Sequence, residues 1–338
     1  MTQIIEQTVT IIYNPLAGPA DVARTMESIA NRWRKIGWEV DVKPTRAPGH
    51  ATQLASEAVE SGRTLVLAAG GDGTLGEVVN GLAGSQTIMG VLPAGTANSF
   101  ARELRLPLPG LLSENNLLLA SDALMVGRVQ TIDLGFTTHQ DGTGGRYWIL
   151  WTGTGADSFM VNELEPRPKW SKRIGWPSYI VQGLPALSKF SHIHAWVEVD
   201  GHQFEDDYIL VLISNCQRYA GGFVTLSHDS KVDDGLLEVW LFGGHGFVSM
   251  SRHAVRALQG KASKEPDAIL LKGKKISIRT EPVMAVQTDG DPAGNTPLFC
   301  SVKPASLQLL TPLSAPDSLF TTRGPKLLDD AGIRGDGQ

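Results

Sequence analysis

The chain has only two cysteines, Cys216 and Cys300, far apart and without the paired spacing of a metal knuckle. A disulfide framework and a cysteine zinc site are therefore excluded, and a reducing compartment is expected. Charge is scarce as well. Asp, Glu, Lys and Arg make up 19% of 338 residues, against roughly 25% in an average soluble domain, and the net charge is −5. That balance argues against a broad nucleic-acid-binding face. No apolar run is long enough for a bilayer: the longest uncharged stretch, 78–101, is broken by glycines, Asn80, Gln86 and Pro93. The first nine residues hold no basic stretch followed by an apolar one, so nothing marks them for export. A cytoplasmic protein of about two domains, at roughly 150 residues each, is the expectation.

What is abundant is glycine, with 37 residues. Some of it closes helices. Val22, Met26, Ile29, Trp33 and Ile36 form one apolar stripe at helical spacing, ended by Gly37. Ala51, Leu54, Ala55, Ala58 and Val59 form another, ended by Gly62. Strands are predicted at 9–13, 38–43, 64–69 and 88–92, with a third helix at 75–82. This alternation predicts an α/β domain over 1–135: a mostly parallel sheet with helices on both faces and ligands beyond the carboxyl ends of its strands. Beyond Asp133 the pattern changes to strands joined by turns, at 147–152, 193–199, 208–214, 236–242, 276–279, 283–288 and 307–310, with a helix at 247–259. A β-rich domain over 136–312 and a mobile tail over 313–338 complete the expected layout.

The remaining glycines mark loops at strand ends. Gly71-Asp72-Gly73-Thr74 follows the strand at 64–69 and opens a helix, where backbone N–H groups can meet an anion at close range. The run also satisfies G-x-G-x-x-G. A dinucleotide fold would then need an acidic residue about 20 positions on. None occurs between Glu77 and Glu103, so that reading fails. Walker A and protein-kinase signatures are absent too. Asn14-Pro15-Leu16-Ala17-Gly18 and Pro93-Ala94-Gly95-Thr96-Ala97-Asn98 lie at equivalent strand ends, and a parallel sheet brings all three loops to one edge.

In order and spacing these loops resemble the diacylglycerol kinase catalytic domain family, which includes bacterial lipid kinases and sphingosine kinases. Gly71-Asp72-Gly73-Thr74 alone is shared with NAD kinases and is close to the phosphofructokinase motif. Ile12-Tyr13-Asn14-Pro15 and the run from Leu92 to Arg102 with Leu106-Pro107 narrow it, and Asp233-Asp234-Gly235-Leu236 and Asp289-Gly290-Asp291-Pro292 follow in the family's order. The resemblance implies the two-domain fold of NAD and diacylglycerol kinases and an ATP- and Mg²⁺-dependent lipid kinase. The alternatives are a NAD-kinase-like enzyme with a soluble acceptor and a non-catalytic nucleotide- or lipid-binding protein.

By the same resemblance ATP would sit against Asn14, Pro15, Leu16, Ala17, Gly18, Thr45, Gly71, Asp72, Gly73, Thr74, Leu75, Gly76, Glu77 and Thr96. Asp72 would hold the nucleotide's Mg²⁺, and Asp291 would accept the proton of a lipid hydroxyl. A structural Mg²⁺ would take Asp234 and backbone oxygens of Lys231 and Leu236, with Asp133 reached through water; a plain hairpin turn is the other reading of that segment. Three positions depart from the pattern: Asp291 stands where Glu is usual, Gly76 where Asn is common, and Pro19-Ala20-Asp21 where basic residues are frequent. Arg167, Lys169, Lys172, Arg173 and Lys189 interleave with Trp170, Trp176 and Tyr179. This stretch suits either transient contact with an anionic membrane surface, making the protein peripheral to the membrane, or a solvated loop with buried aromatics. A metal site from His192, His194 and His202 is conceivable, but exposed strand histidines are far commoner.

Overall fold

A computed structural model describes residues 6–17, 21–109, 115–139, 145–164, 185 and 187–328. The chain divides into two units, Met1–Ile132 with Ala305–Gln338, and Asp133–Pro304.

The first unit alternates β1 (Thr8–Tyr13), α1 (Val22–Lys35), β2 (Glu39–Pro44), α2 (His50–Glu60), β3 (Leu65–Gly70), α3 (Asp72–Leu82), β4 (Ile88–Pro93), α4 (Ser99–Glu103) and α5 (Asn116–Met125). Its sheet runs β2-β1-β3-β4, every pair parallel. β3 is buried along its whole length, as a strand covered on both faces must be. The predicted stripe of α1 is its buried face: Val22, Met26, Ile29, Ala30 and Trp33. Trp33 keeps its indole N–H satisfied by donating to Ser121 Oγ on α5 at 2.9 Å. The Asp21 carboxylate accepts the Arg24 amide and starts the helix.

The second unit holds most of β5 (Arg128–His139), then β6 (Arg146–Trp148), β7 (Trp151–Gly155), α6 (Ala156–Leu164), β8 (Ile193–Val199), β9 (His202–Ser214), β10 (Arg218–Tyr219), β11 (Val224–Thr225), β12 (Leu237–Gly243), α7 (Gly246–Leu258), β13 (Ala268–Gly273), β14 (Lys275–Glu281), β15 (Ala285–Thr288), β16 (Asp291–Asn295) and the start of β17 (Leu298–Thr311). Pairing here is antiparallel, in the order β16-β15-β7-β9-β8-β14-β17, with β12 on β9 and β13. Period-two burial builds the core. Ile193, Ala195, Val197 and Val199 of β8 and Ile276 and Ile278 of β14 face inward with Trp148 and Val211.

Several expectations need revision. The unit boundary falls at Ile132/Asp133, and residues from Ala305 onward return to the first unit. The expected mobile tail is packed over 313–328: Leu319 and Phe320 are buried, and 324–327 runs as a short ladder along the start of β5. In that ladder Val129 N donates to Pro325 O at 2.8 Å and Leu327 N to Gly127 O at 3.0 Å. The predicted strand 147–152 is two strands, β6 and β7, broken at Ile149-Leu150 because those amides turn onto a buried carboxylate. The predicted strand at 307–310 is the last part of the fourteen-residue β17, whose residues Gln308, Leu309 and Leu310 pair parallel with β4. Strands β5, β10, β11, β13 and β16 and helices α5 and α6 were not expected.

Candidate functional site

The parallel sheet of the first unit brings the carboxyl ends of β1, β2, β3 and β4 to one edge, and hydrogen bonds tie successive loops there. Asn14 N donates to Ala69 O at 3.0 Å, Thr45 N to Tyr13 O at 2.8 Å, and Ala94 N to Gly70 O at 3.0 Å. Asn14, Thr45, Asp72 and Thr96 therefore stand on adjacent strand ends, as a parallel sheet requires. Leu16 is almost wholly exposed, and Asn14 Oδ1 accepts its amide at 2.9 Å, which shapes the first loop. Gly18 lies outside the described residues.

Helix α3 opens at Asp72 with no side-chain cap at Gly71, so its first N–H groups face the edge and its dipole favours an anion there. Sterics add a second reason for the glycines. A Cβ on Gly95 would fall 2.3 Å from the Gly71 Cα and 3.0 Å from Asn98 Oδ1, so the loops after β3 and β4 pack backbone on backbone. Asn98, at φ 50°, locks the second loop: its Oδ1 accepts the Gly95 amide at 2.8 Å and its Nδ2 donates to Gly95 O at 2.7 Å. The Asp72 carboxylate reaches across the two loops, accepting from Ser99 Oγ at 3.2 Å and from the Phe100 amide at 3.4 Å.

Three of the expected nucleotide residues are otherwise occupied. Leu75 is buried and its amide donates to Gly71 O, Gly76 is buried, and Glu77 Oε2 accepts the Ala51 amide at 3.0 Å, capping α2. These three support the loop from behind, leaving Asn14 to Ala17, Thr45, Gly71, Asp72, Gly73, Thr74 and Thr96 as its accessible rim.

In the second unit the turn between β15 and β16 carries Asp289-Gly290-Asp291. Asp289, 6% exposed, accepts amides from Ile149 at 3.1 Å, Leu150 at 3.0 Å and Trp151 at 3.1 Å. Burial pushes its carboxyl up to about 6 against those amides and the nearby Arg146. Gly290, at φ 85°, donates its amide to Gln287 Oε1 at 3.0 Å, and Gln287 Nε2 donates to the half-buried Asp157 at 2.9 Å. Tyr219 Oη donates to that same Asp157 oxygen at 2.7 Å. Desolvation raises the Asp157 carboxyl. The turn is thus fixed from below, while Asp291 is half exposed and pairs with Arg146 at 3.3 Å. An ion pair so accessible is worth under about 1 kcal/mol, so an arriving hydroxyl can exchange with the guanidinium. Asp157, Gln287 and Arg146 carry no motif and were not anticipated; of the three carboxylates here, Asp291 and Asp289 were marked by the Asp-Gly-Asp run.

The turn Asp233-Asp234-Gly235-Leu236 also gathers the residues expected of it. Asp133, buried, accepts the Gly235 amide at 2.6 Å, and Asp234 Oδ1 accepts the Leu236 amide at 3.1 Å. The other oxygen, Asp234 Oδ2, takes Lys272 Nζ at 3.2 Å, and Lys272 also meets Glu238 Oε1 at 3.1 Å. Lys272 thus supplies a positive charge beside Asp234 in this arrangement.

The basic and aromatic stretch from Arg167 lies outside the described residues as far as 184; of its basic and aromatic residues named above only Lys189 is described. Among the described residues no helix is long and apolar enough to cross a membrane.

The chain matches the diacylglycerol kinase catalytic domain over residues 8–137 and the YegS C-terminal NAD kinase beta sandwich-like domain over residues 152–311. It is 29% identical over 289 residues to the diacylglycerol kinase of Bacillus subtilis (strain 168), covering 85% of this chain and 90% of that one. A diacylglycerol kinase of Staphylococcus epidermidis is 29% identical over 304 residues, 89% of this chain and 91% of its own. Among solved structures, the crystal structure of a diacylglycerol kinase from Bacillus anthracis aligns with a TM-score of 0.66 at 23% identity, covering 92% of this chain and 98% of that one. That likeness carries the fold.

Proposed function

The chain belongs to the diacylglycerol kinase catalytic domain family, and we propose that it is an ATP-dependent lipid kinase. It moves the γ-phosphoryl group of ATP onto a hydroxyl of diacylglycerol or a similar lipid. The observation that carries this reading is the uncapped N-terminus of α3, where Gly71-Asp72-Gly73-Thr74 packs backbone on backbone against Gly95. Such an edge can take a phosphate chain on N–H groups, with Asn14, Thr45 and Thr96 around it. The Asp72 carboxylate is the hard oxygen donor on that rim, and it suits Mg²⁺. When bound, Mg²⁺ offsets the charge of the nucleotide's phosphates.

In the transfer, the bond from the γ-phosphorus to the β,γ-bridging oxygen breaks and a bond to the lipid oxygen forms. ADP leaves, and the hydroxyl proton passes to Asp291. Arg146, released from Asp291 as the hydroxyl arrives, remains a neighbouring positive charge. A lipid acceptor sits in a bilayer, so the enzyme works in transient contact with a membrane surface as a peripheral protein.

Purified protein with labelled ATP and Mg²⁺ should label dispersed diacylglycerol and leave NAD and sugar phosphates unlabelled. Label confined to a soluble acceptor would overturn the lipid reading in favour of a NAD-kinase-like activity. ATP binding without turnover on any acceptor would make the protein a binding module.

A further inference from the structure

A second cluster of chemistry-bearing side chains lies away from the loops and turns described above. Strands β8 and β9 form a hairpin in which His194 stands opposite Asp207. His192 precedes β8, and His245 precedes α7, whose first residue, Gly246, donates its amide to Ser191 O at 2.9 Å. This backbone bond sets the two imidazoles side by side, ring centroids 4.5 Å apart and nearly perpendicular. Their Nδ1 atoms are 3.1 Å apart. Asp207 Oδ2 lies 3.6 Å from His192 Nε2, and ligand atoms of His192, Asp207 and His245 all fall within 4.8 Å of one another.

We infer that His192, Asp207 and His245 form a binding site for a divalent transition metal of the zinc class. Three observations support it. One ligand atom from each of His192, Asp207 and His245 lies within 4.8 Å of the others, a span that small side-chain rotations reduce to the about 3.3 Å between donors on a tetrahedral zinc with bonds of about 2.0–2.1 Å. Two imidazoles and one carboxylate form a donor set of intermediate hardness, which selects zinc and its neighbours over Mg²⁺ or Ca²⁺. Behind the carboxylate, Asp207 Oδ1 is held by His194 Nδ1 at 2.8 Å, and His194 Nε2 faces Glu205 Oε1 at 3.3 Å. This outer layer is the kind that orients a metal-binding carboxylate. Ser191 Oγ, 2.9 Å from His192 Nδ1, holds that ring by one nitrogen and leaves Nε2 on the side of Asp207. His192 and His245 are exposed and Asp207 half-buried, so an ion has open access and a place for water as its fourth ligand.

The arrangement differs from the three-histidine set considered from sequence. His202 pairs with Val199 at the far end of the hairpin and His194 holds Asp207 from behind, so Asp207 and His245 stand in place of these two histidines. Because the ligands come from the lead into β8, from β9 and from the start of α7, a bound ion would staple the helix to the hairpin.

The test uses the untagged full chain, stripped with chelator and titrated with Zn²⁺ by calorimetry, then with Co²⁺ by absorption. One equivalent of Zn²⁺ should bind in the presence of excess Mg²⁺, and Co²⁺ should show the visible bands of tetrahedral coordination. His245→Ala and Asp207→Asn should each weaken Zn²⁺ binding at least tenfold, and His202→Ala should leave it unchanged. Since all three side chains are at least partly exposed, the variants should fold, which a matched circular dichroism spectrum checks. Absence of Zn²⁺ binding by the parent chain, or binding of equal affinity in His245→Ala and Asp207→Asn, would overturn the site.

Discussion

Two aspartates separated by one glycine divide the labour in the turn after β15. Asp289 is buried and fixed by three amides; Asp291 is half exposed and held only by Arg146. Folding raises the Asp289 carboxyl from 3.8 to about 6, so the native state favours the protonated form there, by on the order of 3 kcal/mol. Its contribution to stability is full below about pH 4 and is lost as pH rises through about 6. Asparagine at this position cannot titrate. Denaturant unfolding should therefore show the parent's stability relative to Asp289→Asn falling as pH rises from 4 to 6; a constant difference would remove Asp289 from the pH dependence. For Asp291 the readout is kinetic. On the proposed mechanism Asp291→Asn removes the proton acceptor, which should lower kcat by roughly 10²–10⁴-fold while KM for ATP stays unchanged. Asp291→Glu keeps the carboxylate and should retain or raise turnover. A fully active Asn variant would place the proton acceptor elsewhere.

At the level of elements, the loops after β3 and β4 act as one object because Gly71 and Gly95 touch through their backbones. Gly95→Ala would set a Cβ 2.3 Å from the Gly71 Cα, a clash no rotamer relieves. We expect this variant to lose about 1–3 kcal/mol of stability and to raise KM for ATP at least tenfold, with kcat less affected. An unchanged KM would mean that the loops hold nothing. These loops were legible in the sequence because each joins a strand of clear apolar character to a helix of clear period, so position followed from local pattern alone. The phosphate-facing explanation for the glycines was incomplete, since loop packing is visible only when two distant segments are in contact. The same limit applies to β6 and β7. Residues 147–152 read as one apolar strand, and nothing nearby in the sequence announces that Asp289 turns three of their amides aside. Lys272 was equally invisible: it lies far along the chain from Asp234, yet it supplies the positive charge there.

For the whole molecule, the chain leaves its first unit at Ile132 and comes back at Ala305, so the sequence order of domains is not the order of their cores. From 313 onward the returning segment reads as a tail because it has Pro, Gly and scattered charge without periodicity. Its hold on the first unit comes instead from two buried side chains, Leu319 and Phe320, from backbone bonds between 325–327 and 127–129, and from the Gly324 amide, which donates to Gln130 Oε1 at 2.8 Å. Arg128 adds a guanidinium bond to Gly324 O at 2.9 Å. Burial of a leucine and a phenylalanine is worth about 1.5–3 kcal/mol each, so losing both removes a large part of a typical domain's 5–15 kcal/mol. A chain ending at Pro312 should therefore show a lowered thermal transition and weakened ATP binding. A second chain ending at Leu328 keeps every one of these contacts and should unfold as the full chain does. If the two truncations unfold alike, the segment 313–328 contributes nothing to the first unit; if only the shorter one fails, the nucleotide loops depend on residues that lie more than two hundred positions from them in sequence.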